Sequence, residues 1–168
     1  MLRGSKYILQ ICILLWIFES AIGHSLGAAL AQVAALDIFV NATMLNSSGY
    51  RFVQTFGSPR WCNDVLVNYF EQIIDVHWRL VNLYDVGLEK KEDKKNHCGT
   101  LFAKLATVPT VPPQDKYYHH TPTMVWYKDD SPLTYTICDE SGEDPACEYV
   151  GYSIYDHLHY MGLYEDCT

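Results

Sequence analysis

Ser25 stands in the pentapeptide Gly23-His-Ser-Leu-Gly27, a G-x-S-x-G pattern. A serine hydroxyl is a weak nucleophile near neutral pH. It needs an adjacent base and a place for the negative charge that develops on an attacked carbonyl. In this pattern the serine sits on a strained strand-to-helix turn, and both flanking glycines are expected because side chains there would collide with neighbouring backbone. The context fits the chemistry. An apolar run precedes the turn, and Ala-rich Leu26–Val40 follows it with apolar residues at helical spacing, so a helix N-terminus points its N–H groups at the serine. The backbone N–H of Leu26 is the candidate oxyanion donor. The reaction so defined is acyl transfer.

The rest of the chain must deliver a base and an acid to that turn. Polar Asn41–Tyr50 leads to Arg51–Phe56, a β-branched and aromatic strand that Gly57-Ser-Pro59 stops. Asn63–Ile74 opens on cap residues and carries Val65, Leu66, Tyr69, Phe70 and Ile73 along one face, which predicts a second helix. Val76–Tyr84 reads as a strand ending at Asp85. Helix, strand, helix, strand in this order is the signature of an α/β fold with a mostly parallel sheet and crossover helices. From Val86 to about Ala106 the pattern dissolves into charge, including Glu89–Lys95, as in a solvated insertion or a disordered loop. An extended turn at Pro109–Pro113, a hairpin of Thr123–Tyr127 with Leu133–Cys138, and a Gly/Asp-rich loop then lead to Asp156-His157.

Gly23-His-Ser-Leu-Gly-Ala-Ala-Leu30 resembles the nucleophile elbow of class 3 (fungal-type) lipases. Thr55–Arg60, Trp78–Asp85, Val108–His120 with Met124–Tyr127, and Tyr155–Gly162 are similar to further segments of that family, in the same order. The resemblance runs from Gly23 to the C-terminus, apart from the 86–106 insert. It implies an α/β-hydrolase fold, lipid esters as substrate and a lipid–water interface as the working surface. Carried over position by position, it implies a triad of Ser25, Asp85 and His157, in the chain order of α/β-hydrolases. Asp156 competes for the acid's role, but adjacent residues face each other poorly, and Asp85 at a strand end has the better geometry. The family also has a histidine at the position of His24 that is not the base, and His120 matches a family position outside the triad. His77 and His97 read as surface or loop residues. A disulfide between Cys138 and Cys147 is likewise implied, as is a partner for Cys167 in the family's N-terminal region. Members place several strands, a helix and a lid before the elbow. The resemblance therefore implies a partial fold with the N-terminal strands and lid missing, with residues 23–168 as the lipase domain. Trp61-Cys62 departs from a small Val-Gly pair and leaves the pairing of Cys62 open.

Composition narrows the setting. The chain has 168 residues, 49% hydrophobic and 14% aromatic, enough for one domain with a core, and its net charge of −8 argues against a nucleic-acid partner. Residues 1–22 start cationic and turn apolar over Tyr7–Phe18, which reads as a secretory signal, or alternatively as a membrane anchor. The other reading is a buried strand running into the elbow, against which Glu19 and Ser20 count. Sequons at Asn41 and Asn46, in the polar stretch after the helix, and an even set of cysteines fit a secreted, glycosylated protein. His157 and His159 lack nearby cysteines or a third ligand, so neither a metal nor a cofactor is expected. The sequence leaves the oligomeric state open.

Overall fold

A computed structural model describes residues 18–44, 49–85, 108–129, 131–147 and 153–164. The apolar run before Phe18, the 86–106 insert, Asn46, His97 and Cys12, Cys98 and Cys167 lie outside the described residues.

The elbow is delivered by a strand. β1 (Phe18–His24) pairs in parallel with β2 (Tyr50–Phe56), from Phe18 opposite Tyr50 to His24 opposite Phe56. β3 (Val76–Asn82) joins β2 in parallel, β4 (Met124–Tyr127) joins β3 in parallel, and β5 (Tyr135–Ile137) returns antiparallel against β4. The sheet order is β1-β2-β3-β4-β5. α1 (Leu26–Met44) and α2 (Asp64–Ile73) are the crossovers that parallel neighbours require. This is the mostly parallel α/β sheet read from the sequence. Ser20 does not argue against a strand here, because β1 is the outermost strand among the described residues and Ser20 is exposed on it.

Period-two alternation divides the core. Beneath α1 and α2, Val53 packs with Ala35, Phe39, Phe70 and Ile74, and Trp61 closes this cluster against Phe70. On the opposite face Leu80, Val125 and Tyr160 pack with Phe56. α1 is apolar almost all round, yet among its described side chains only the stripe Ala28, Gln32, Ala35 and Phe39 is fully covered. Leu26, Leu30, Val33 and Ile38 remain exposed.

The structure corrects two local readings. α1 runs past Val40 to Met44, with Asn41 inside its last turns; the Asn41 amide donates to the Asp37 carbonyl at 2.8 Å, an i to i−4 bond that suits helical backbone. Asn41 therefore lies on the helix, not in a polar stretch after it. His77 is not a surface residue but is buried in β3, bonded through Nδ1 to the Pro122 carbonyl at 2.8 Å and packed edge-on against Phe70.

Polar side chains bind the second half of the chain to the sheet. Buried Gln32 donates to Ser58 Oγ at 2.8 Å and accepts from Thr121 Oγ1 at 2.6 Å. Buried Arg79 donates to the carbonyls of Gly142 and Thr121. Arg60 grips Glu143 with two bonds, at 2.8 and 2.7 Å, a fork-to-fork pairing that fixes orientation as well as distance. Cys138 and Cys147 are joined in a disulfide inside a cluster with Val81, Met124 and Trp126, and Cys62 is a buried free thiol that burial pushes up to about 12.

Burial lowers His77 to about 3 and holds His120 well below the ordinary imidazole value of 6.5. Between 6.5 and those values the unfolded chain binds protons that the folded chain refuses, so stability falls as pH drops through the window. Urea unfolding should show a loss of about 2 kcal/mol from His77 between pH 7 and pH 5, with His120 acting in the same direction. Equal midpoints at the two values would mean that both rings accept protons in place.

Candidate active site

Ser25 has a left-handed backbone, φ 57°, between the last residue of β1 and the first of α1. For a residue with a Cβ this conformation costs about 1–2 kcal/mol, so neighbours must hold it. Ser25 N–H donates to the Phe56 carbonyl at the end of β2, at 2.9 Å, and its own carbonyl accepts from Ala28 in the first turn of α1, at 3.0 Å. The hydroxyl is thus fixed at the sheet's C-terminal edge, with the N–H of Leu26 at the head of the helix beside it.

The two flanking glycines are not equivalent. A Cβ on Gly23 would lie 2.2 Å from the Gly27 carbonyl oxygen, which the packing of α1 against β1 forbids. At Gly27 a Cβ meets nothing within 4 Å, so the collision expected there is absent among the described residues.

β3 ends at Asn82, and a turn with Leu83 at positive φ carries the chain to Asp85, whose N–H bonds back to the Asn82 carbonyl at 2.9 Å. The Asp85 carboxyl is fully buried. α3 (Ile154–His157), capped by Ser153, brings His157 to it: Nδ1 donates to Asp85 Oδ1 at 2.8 Å. With Nδ1 committed as donor, Nε2 carries the lone pair and accepts from the Ser25 hydroxyl at 2.9 Å. Three residues expected from distant stretches of sequence therefore meet in hydrogen-bonding order. Asp156 does not compete with Asp85, since its carboxylate is turned to accept from the Tyr84 N–H at 3.2 Å. His120 is buried elsewhere, donating from Nε2 to the Pro109 carbonyl, and His159 stacks edge-on with Tyr155.

Two contributors escape a reading of the sequence. Tyr160 donates its hydroxyl to Asp85 Oδ2 at 2.5 Å. Burial, joined by the Asp85 charge, pushes the phenol well above its usual range and keeps it a donor. Burial also raises the Asp85 carboxyl, while the bonds from His157 and Tyr160 pull it back. The signal for Tyr160 was its place three residues after the histidine, a single turn that can address both carboxylate oxygens. Gly57, read from sequence as a strand stop, has φ 54°, and a Cβ there would lie 2.7 Å from Asp85 Oδ2 and 2.8 Å from His157 Nδ1. The contact between acid and imidazole occupies the space that a side chain at position 57 would take.

The one three-donor cluster of metal-ligand type among the described residues is Cys138, Asp144 and Cys147. Both sulfurs are used in the disulfide, and Asp144 accepts from the N–H groups of Asp139 and Ala146. Nor is any described helix long and apolar enough to cross a membrane.

Strand, elbow, helix and the later turns that return to the sheet's C-terminal edge define an α/β-hydrolase architecture. A family model described as lipase (class 3) matches residues 20–86. The lipase of Rhizomucor miehei is 31% identical over 144 residues, covering 84% of this chain and 34% of the relative. A secreted mono- and diacylglycerol lipase of Malassezia globosa is 32% identical over 109 residues, covering 64% of this chain and 27% of its own length. Among solved structures, a triacylglycerol lipase described as having a serine-protease triad as its catalytic centre superposes with a TM-score of 0.66 at 26% identity, over 94% of this chain and 52% of that one. The chain belongs to the class 3 lipase family of the α/β-hydrolase superfamily. It spans about a third of the length of the curated relatives it matches.

Gly57→Ala should cost about 1–2 kcal/mol through the backbone alone and should break the acid–imidazole bond. Loss of the low-field proton resonance of the hydrogen-bonded His157 imidazole, together with a lowered urea midpoint, is the expected result. An unchanged resonance would mean that the two side chains give way without parting.

Proposed function

We propose that this chain carries the ester-cleaving centre of a lipid-ester hydrolase, of the triacylglycerol lipase type, acting in lipid breakdown. The observation that carries the reading is the unbroken relay from Ser25 Oγ to His157 Nε2, at 2.9 Å, and from His157 Nδ1 to Asp85, at 2.8 Å. In the proposed reaction Ser25 Oγ attacks the ester carbonyl carbon as its proton passes to His157 Nε2. Asp85 keeps the imidazole in the productive tautomer and stabilises the imidazolium. The carbonyl oxygen, now negative, lies against the Leu26 N–H at the positive end of α1. Collapse expels the alcohol, which takes the proton from His157. Water, deprotonated by the same ring, then releases the acid and restores Ser25. The cycle is complete with these side chains and water.

A lipid substrate is supported by the names of the relatives, which act on acylglycerols, and by the exposed Ile22, Leu26 and Leu30 beside the nucleophile. An extracellular setting is supported by the Cys138–Cys147 disulfide, by the signal-like start and the sequons at Asn41 and Asn46, and by the secreted relative. We extend the proposal to residues 23–168 as one lipase domain interrupted by an insert at 86–106, together with Phe18–Ile22, which pair with β2 in the same sheet.

A fluorophosphonate should modify Ser25, and no residue in Ser25→Ala, with p-nitrophenyl ester turnover lost in parallel. His157→Gln should slow both by about a thousandfold or more. Ester binding with neither labelling nor turnover would replace the hydrolase reading with that of a lipid binder. Turnover of soluble esters but not of long-chain emulsions would make the chain a carboxylesterase of the feruloyl type instead.

A further inference from the structure

The base of the relay sits on a weak element. α3 has four residues, Ile154–His157, too few to hold their own shape. Bonds from the rest of the fold must therefore fix the imidazole. Several come from the acid's side: Asn82 Nδ2 donates to the His159 carbonyl, and the Tyr84 N–H donates to Asp156. Those bonds tie the segment to the end of β3, and they say nothing about where the base lies relative to the nucleophile.

His24 supplies that missing register. It immediately precedes Ser25, and its Nε2 lies 2.7 Å from the carbonyl oxygen of His157. A carbonyl can only accept, so Nε2 carries the proton and donates. The His24 ring also lies against the His157 ring, centroids 4.7 Å apart, and meets Tyr160 edge-on at 5.8 Å. The residue beside the nucleophile therefore grips the main chain of the residue that carries the base.

We infer that His24 is a positioning residue that holds the base in register with the elbow through the His157 carbonyl. This rests on the proposed roles of Ser25 and His157 and adds a step-specific consequence. Once Ser25 is acylated, its Oγ has no proton to give, and the Ser25–His157 bond no longer helps to locate the imidazole. The His24 bond does not take part in the chemistry and persists. It should matter most for deacylation, when the ring must meet a water molecule with no help from the serine.

The test uses the full chain and three proteins: wild type, His24→Phe, which keeps a ring without a donor, and His24→Gln, whose Nε2 can donate from a similar place. With p-nitrophenyl butyrate, His24→Phe should lose about tenfold to a hundredfold in kcat, since misplacement by an ångström costs on that order, and KM should fall with it, leaving kcat/KM, which reports acylation alone, within about twofold. Intact mass during turnover should show more butyryl-enzyme in His24→Phe than in wild type. His24→Gln should recover most of the rate and lose the excess acyl-enzyme. A purely structural role would lower the urea midpoint without moving the acyl-enzyme fraction. If His24→Phe does not fold, His24→Met, which fills the space without a donor, is read in the same way. Wild type that neither labels at Ser25 nor turns over would remove the underlying relay and this inference together. An active wild type matched by His24→Phe, or a His24→Gln as impaired as His24→Phe, would overturn the inference alone.

Discussion

A fully buried carboxylate must have its oxygens met by donors, or it loses several kcal/mol. Asp85 is such a group, and its needs organise the end of the chain. Its Oδ1 takes the His157 Nδ1–H and its Oδ2 takes the Tyr160 hydroxyl, two donors that lie three residues apart. Placing that short turn satisfies the charge, and satisfying the charge points the other nitrogen of the imidazole at Ser25. The desolvation that pushes the Asp85 carboxyl upward is thus the force that makes the fold collect its base.

The sheet does the remaining work by bringing three ends to one edge. β1 stops at the serine, β2 stops at Phe56 and Gly57, which clamp it and clear space behind it, and β3 stops just before the acid. Parallel pairing is what aligns these ends, because strands running the same way finish on the same side. Farther from the site, Arg60, Arg79 and Gln32 fasten the 108–122 stretch and the disulfide loop to the sheet through buried polar bonds. Two buried neutral imidazoles in the same region give that fastening its sensitivity to acid.

Much of this was open to a reader of the sequence, for definable reasons. The elbow pattern and the alternation of elements are local, so the order of α1, β2, α2 and β3 follows from short-range periodicity, whereas the apolar run ahead of the elbow reads as a secretory signal as readily as the strand β1 that its end forms. The placement of Asp85 and His157 came from resemblance in ordered segments, since nothing local says that residues 72 positions apart in the chain will share a proton. What stayed hidden depends on three-dimensional neighbours. His77 reads as a surface or loop residue in the sequence, yet the alternation of β3 points it at Phe70 beneath α2. Gly27 looked as constrained as Gly23 because the motif is symmetric, while the packing around it is not. Asn41 looked like loop because polar residues follow it, although its amide finds a helical partner behind it.

Gly57 carries a lesson of its own. It contributes no functional group, donates nothing to a substrate and lies in the stretch between the nucleophile and the acid. Its contribution is an empty volume in which two other side chains touch. In a saturation library scored only by survival of the proposed activity, that position would tolerate as little as the three proposed members of the relay and would pass for one of them. Only the coordinates distinguish a residue that must be present from one whose side chain must be absent.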